Sequence, residues 1–257
     1  MDIGTYAAAS SGVLQMRKLE VQNNNLANIN TVGFKGQYVI AEPQNFDGTL
    51  ANAINEQDPF ARPDQQRVKN VTEVRTQVDF SRGPIQYTGN PLDVAARDAK
   101  DFFVINTPQG PRYTKAGNFT LNAEGQLVTA DGLQVQGDGG AIVAQGGSVS
   151  IGNDGSVRVT TQAAQPPQLV GRIQLVRIED TSKLVAEEGA RFKLQGGAPA
   201  PSLGSMETMS LEMSNVSAIT GMVDLITTNR AFDAYTRTAQ ALDSMNQTAI
   251  TRVGRRQ

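Results

Sequence analysis

Apolar positions recur at helical spacing near both ends of the chain and alternate at strand spacing between them. Ile3, Tyr6, Ser10 and Val13 repeat at +3, +4 and +3, and Met16, Leu19, Asn23 and Leu26 form a second stripe of the same period. This is the mark of an apolar helical face. Residues 13–32 contain no Gly or Pro; Asp2 can cap the start and Gly33 can stop the end. The helix closes in an Asn-rich run, Asn23-Asn24-Asn25-Leu26-Ala27-Asn28, unusual because Asn is a poor helix former. Its amides both donate and accept, which suits a helix end or a polar seam between helices.

Residues 76–194 read as β. Phe119-Thr120-Leu121-Asn122, Ser148-Val149-Ser150-Ile151 and Arg191-Phe192-Lys193-Leu194 alternate, with turns at Glu124-Gly125, Asp131-Gly132 and Asn153-Asp154-Gly155. Short strands between Gly turns predict an antiparallel sandwich or barrel. The Phe102-Phe103 pair reads as β core. Residues 222–253 lack Gly and Pro and form a second long helix, with Ser214 or Asn215 as cap. Val216, Ile219, Val223 and Ile226 make one stripe; Leu225, Phe232, Tyr235, Ala239 and Leu242 make another. The fold class is therefore α+β, with N- and C-terminal long helices paired in an α-helical, coiled-coil-like domain and a central antiparallel all-β domain. The expected sections are 1–35 for the first helix and its Asn-rich motif, 36–75 for an extended connection, 76–200 for the β domain and 201–257 for the second helix.

A two-helix hairpin leaves apolar surface uncovered unless subunits stack, and stacking that does not close into a ring gives a helical filament. Isolated helices are marginal in water. Limited proteolysis is thus expected to trim both ends to a core near residues 76–200.

Composition narrows the chemistry. Of 257 residues, 39% are hydrophobic and 5% aromatic, with 25 Gly, which suits an elongated subunit completing its burial with neighbours. The net charge of −2 points away from nucleic acid or anionic membrane as the main partner. Absence of Cys and His removes disulfides, thiolate metal sites and every His-dependent catalytic scheme. The Asp138-Gly139-Gly140 and Asn153-Asp154-Gly155 runs lack the spaced carboxylates of a calcium loop and read as turns. Asp93, Asp98, Asp101 and Glu124 supply carboxylates for a rival reading as a peptidoglycan-cutting enzyme, but no spacing pairs them. No cofactor, metal or catalytic residue is expected. The opening Met1-Asp2-Ile3-Gly4-Thr5-Tyr6 lacks a basic region and apolar core, so no cleaved signal peptide is expected. No run approaches the length of a membrane span.

Four segments carry a resemblance. Asn24-Asn25-Leu26-Ala27-Asn28-Ile29-Asn30-Thr31-Val32-Gly33-Phe34-Lys35 resembles the N-terminal signature of flagellar rod and hook axial proteins. Thr88-Gly89-Asn90-Pro91-Leu92-Asp93-Val94-Ala95, Tyr113-Thr114-Lys115-Ala116-Gly117-Asn118-Phe119 and Leu211-Glu212-Met213-Ser214-Asn215-Val216 match further family segments in order. One departure is Ala99-Lys100-Asp101-Phe102-Phe103, where the family has a Gly-Asp-Gly turn before the Phe pair.

The resemblance implies a non-enzymatic structural subunit of the basal-body rod, polymerising through its terminal helices into the axial drive shaft that carries torque from motor to hook. Chain length leaves the proximal and distal rod types as candidates; Met1-Asp2, Gly171-Arg172-Ile173-Gln174-Leu175-Val176 and a stretch from Gly36 to Arg75 unlike the distal type's longer Gly-containing insert favour the proximal one; a short hook-like subunit is a further alternative. Implied partners are the chain itself, other rod subunits in a helical tube and the flagellar export apparatus. The implied location is the rod where it crosses the periplasm. Expected subunit-packing residues are Ile3, Tyr6, Val13, Leu19, Asn24, Asn25, Leu26, Asn28, Gly33 and Phe34 at the first end. At the second end they are Asn215, Val216, Ile219, Val223, Leu225, Ile226, Phe232, Tyr235 and Leu242.

Overall fold

The computed structural model describes residues 3–44, 71–161 and 166–254, and divides into two compact units. The first draws on Met1–Asn24, Gln37–Gln77 and Ile219–Gln257, the second on Asn25–Gly36 and Val78–Ala218.

In the first unit, helix α1 (Ile3–Ala27) and helix α2 (Ala218–Gly254) are in contact, and strands β1 (Gln37–Gln44) and β2 (Val71–Val78) pair with each other. All of β1 and the first part of β2 lie in the stretch 36–75 read as an extended connection, and β2 runs on to Val78. Gly12 allows a close helix approach: a Cβ there would stand 3.0 Å from Cε1 of Tyr235. On α2, Ala218, Gly221, Leu225, Thr228, Phe232, Tyr235 and Ala239 are half-buried or buried. They recur at alternating +3 and +4, the seam of a left-handed helix pair. The second stripe read from the sequence is this inner one. The first faces outward, with Ile219 79%, Val223 54% and Ile226 51% exposed.

The helix boundaries differ from expectation. Helix α1 ends at Ala27 rather than Val32, because the Asn28 and Thr31 side chains bond each other and turn the chain (Thr31 Oγ1 to Asn28 Oδ1, 3.1 Å). Helix α2 starts at Ala218 with Ser217 before it, while Asn215 spends its amide elsewhere. Asp2 lies outside the described residues, as do the side chains of Ile3, Tyr6 and Leu242.

The second unit is antiparallel β. Strand β5 (Asp101–Thr107) is its centre, flanked by β6 (Gly110–Thr114) on one side and by β9 (Gln134–Gly137) and β14 (Leu175–Arg177) on the other. The sheet continues through β16 (Arg191–Leu194) to β15 (Leu184–Glu187), and through β8 (Leu127–Val128) to β7 (Thr120–Leu121). Two short strands complete it, β10 (Gly140–Ala141) on β9 and β17 (Ala200–Pro201) on β14. A three-stranded sheet of β11 (Ser148–Ile151), β12 (Ser156–Thr160) and β13 (Gln168–Arg172) stands apart. Its Val149, Ile151, Val157 and Val159 share one core with Phe103, Ile105 and Val135 of the main sheet. A second core on the other face gathers Phe102, Val104, Val176 and Phe192. Successive side chains on a strand point to opposite faces. The Phe102-Phe103 pair therefore serves two cores, one ring each.

The turn before that pair needs no glycine. Asp98 Oδ1 accepts from Lys100 N at 2.9 Å, and Asp101 N donates to Asp98 O, so an Asp-initiated turn replaces the glycine one. Strands β3 (Ile85–Tyr87) and β4 (Val94–Ala96) close the unit by pairing with β19 (Ser210–Glu212) and β18 (Met206–Thr208).

Candidate functional site: a neck where the four motifs meet

The four segments singled out in the sequence converge in the second unit, where three passes of the chain meet. Gly33 N donates to Glu212 O at 2.7 Å, and Gly33 adopts φ +69°. A side chain at Gly33 would put Cβ 2.2 Å from Ala116 N, so only glycine fits against the Lys115-Ala116 backbone. Gly117 meets Val94 as closely: a Cβ there would lie 1.7 Å from Val94 O. In the segment holding Val94, Thr88 Oγ1 and Asn90 Nδ2 donate to the two oxygens of Asp93 at 2.6 and 2.9 Å.

Three side chains tie the passes together. Lys35 and Glu212 form an ion pair at 2.7 Å, with side chains 0% and 1% exposed. Lys35 Nζ also donates to Ser81 O at 2.7 Å, and Glu212 Oε1 accepts from Gly83 N at 3.0 Å. Asn215 does the same with neutral groups. Its Oδ1 accepts from Gly36 N at 2.8 Å, and its Nδ2 donates to Asp79 O at 2.9 Å and Ser81 Oγ at 3.0 Å. Segments 33–36, 79–83 and 212–215 are thus held by bonds that all run between them. Glu212 Oε2 is buried with no hydrogen-bond partner among the described residues.

Lys115 extends the charge cluster. It is fully buried, donates to Asp98 O at 2.8 Å and lies 4.6 Å from the centroid of the Phe102 ring. Burial lowers its pKa from 10.5 to about 8, opposed by the Glu212 charge and assisted by Lys35. Below about pH 8 this lysine is charged in both folded and unfolded chains, so the burial penalty is present in full. Between about 8 and 10.5 only the unfolded chain keeps the proton, so stability rises with pH across that window. The wild type should gain about 2–3 kcal/mol over Lys115→Met as pH rises from about 7.5 to about 10. Urea melts across that range check it; parallel curves would show that Lys115 does not release its proton on folding.

Three of the four carboxylates of the enzyme reading are engaged in structure, and the fourth, Glu124, is exposed. Asp101 is fully buried and accepts from Arg177 Nε at 3.1 Å and Ser202 Oγ at 2.8 Å; Asp98 pairs with Arg177. Asp93 is held as described above.

The expected packing residues separate into two groups. Gly33, Phe34 and Asn215 are used inside the chain, as are the inner residues Leu225, Phe232 and Tyr235. Val13, Ile219, Val223 and Ile226 are exposed; Leu19, Asn25, Leu26, Asn28 and Val216 are half-buried, and Asn24 is exposed. Sequence reasoning passed over Lys35, Lys115 and Glu212. Their signal was present: each is the only charged residue in its motif.

The profile for the flagella basal body rod protein matches residues 6–35, that for the flagellar hook protein FlgE/F/G D1 domain matches 98–159, and that for the flagellar basal body rod FlgEFG protein C-terminal matches 208–252. Together they take in Lys35, Lys115 and Glu212. The chain is 30% identical to the flagellar basal-body rod protein FlgF of Caulobacter vibrioides over 260 residues, covering 99% of each chain. It is 31% identical to FlgF of Rhizobium meliloti over 263 residues, again covering 99% of each. FlgG of Caulobacter vibrioides is 32% identical over 257 residues, covering 93% of this chain and 95% of that one. Matched nearly end to end at 30% identity or more, this chain belongs to the flagellar basal-body rod protein family of FlgF and FlgG, as a non-enzymatic structural subunit of the rod.

Proposed function

We propose that the subunit enters the rod through the outward face of its helices, with Ile219, Val223 and Ile226 of α2 and Val13 of α1 packing against neighbouring rod subunits. One observation carries this reading. The inner stripe of α2 is covered within the first unit, while these large apolar side chains are more than half exposed. Contiguous apolar surface of this kind marks an interaction site. Met16 and Met222, both 52% exposed, extend the same faces with side chains that adapt to irregular gaps. Leu225, Phe232 and Tyr235 hold the hairpin that presents the stripe. Ile3, Tyr6, Leu19, Asn24, Asn25, Leu26, Asn28, Val216 and Leu242 are assigned to the same packing as its continuation toward the helix ends.

In this reading the chain is FlgF-like, a proximal rod subunit; near end-to-end coverage of two FlgF proteins supports that over the FlgG assignment. The subunit leaves the cell through the flagellar export apparatus, without a cleaved signal peptide, and works where the rod crosses the periplasm, passing torque from motor to hook. Val223→Asp should abolish rod incorporation and swimming while the purified protein keeps its fold, since an exposed position accepts a charge in the monomer and a buried interface does not. Normal occupancy of the rod by this variant would sink the assignment.

A further inference from the structure

Leu203, at 99%, is the most exposed large hydrophobic side chain among the described residues. A lone exposed leucine is ordinary; the mounting of this one is not. Before it, Ser202 N donates to Leu175 O at 3.0 Å and Ser202 Oγ to Asp101. After it, Gly204 N donates to Ser202 Oγ at 3.0 Å, and Arg97 N donates to Ser205 O at 3.1 Å. Gly204 lies so close to Asp101 that a Cβ would stand 2.1 Å from Oδ2. The backbone is fixed on both sides, so it has little ordering entropy left to lose when the side chain docks.

The same unit carries a cleft of about 120 Å³, lined by Val32, Ile105, Ala116 and Ala130 together with three threonines, Asn118, Gly189, Asp131 and Arg191. A cavity of about 150 Å³ holds a benzene-sized apolar guest, so this one suits a single branched aliphatic side chain. Leu203 does not line the cleft, and its exposure shows that it does not fill it in its own chain. A knob and a hole at different places on one molecule make a heterologous contact, which extends rather than closes.

We propose that Leu203 of one copy seats in the Val32–Ala130 cleft of the next copy in the rod, joining β units head to tail outside the helix contacts. This rests on the rod-assembly reading above. It deepens that reading by assigning the β unit its own intersubunit contact.

The chain has no Cys, so introduced thiols report without background. Tagged Leu203→Cys chains and untagged Ala130→Cys chains are made together with wild type. Isolated basal bodies are then treated with a short thiol-reactive cross-linker. The expected result is a tagged–untagged dimer, with a ladder of dimer, trimer and higher species when one chain carries both substitutions. Leu203→Cys alone, or paired with Val185→Cys, should give none. Rods that contain both chains and yield no dimer, or as much with Val185→Cys, overturn the proposal and leave the helix packing standing. Loss of incorporation in Val223→Asp is read separately. If the thiol chains are excluded from rods, Leu203→Ala and Ala130→Leu decide by competition with wild type. Each should lower occupancy about tenfold, the effect of losing one buried leucine, and unchanged occupancy overturns the idea.

Discussion

Lys35→Met is expected to lower the unfolding free energy by about 3–5 kcal/mol, because it strands the Glu212 carboxylate without its cation at a fully buried site. The loss should appear in urea melts as a shift in midpoint at unchanged slope. Glu212→Leu should be comparably damaging, since it leaves the fully buried Lys35 ammonium without its carboxylate and under the repulsion of Lys115. The double variant should recover part of the deficit. Recovery stays incomplete because Ser81 O and Gly83 N lose their charged partners. A single-variant effect below about 1 kcal/mol, the ordinary worth of an exposed pair, would show that water reaches this pair.

A polypeptide covering residues 76–200 should fail to fold cooperatively, whereas one covering 25–218 should melt as a unit. The shorter piece matches the β section as the sequence presents it. Yet it omits Met206, which is 3% exposed in the larger core, and both halves of the Lys35–Glu212 pair. It also removes β18 and β19, leaving β3 and β4 without partners. Near-UV circular dichroism and a sharp thermal transition distinguish the outcomes. A protease-resistant core that ends at residue 200 would refute the requirement for the neck.

Much of this architecture was legible from period alone. The +3/+4 spacing marked both helices, and alternation in Ser148-Val149-Ser150-Ile151 and Arg191-Phe192-Lys193-Leu194 marked strands that exist. What period does not carry is which apolar stripe on α2 is covered. Leu225 and Ile226 are neighbours in sequence and equally apolar, but only Leu225 lies on the inner seam. The neck was legible as motif and illegible as geometry. Lys35 and Glu212 are 177 positions apart, and nothing local to either says that its charge is buried. The end of α1 at Ala27 was missed for a related reason: the Asn28–Thr31 bond competes with helix continuation at residues whose identity also suits a seam.

The neck also decides where mechanical load travels. Tension entering from α1 arrives at residues 33–36 and tension from α2 at residues 212–216, and these segments are bonded to each other directly and through residues 79–83. Force therefore passes from one end of the chain to the other through a few bonds loaded side by side, without entering the more than one hundred residues of β structure that lie between Gly83 and Glu212 in sequence. A sheet outside the line of force is not asked to resist unzipping. Its strands can lengthen, shorten or carry a protruding loop while the path of the load through the chain stays the same.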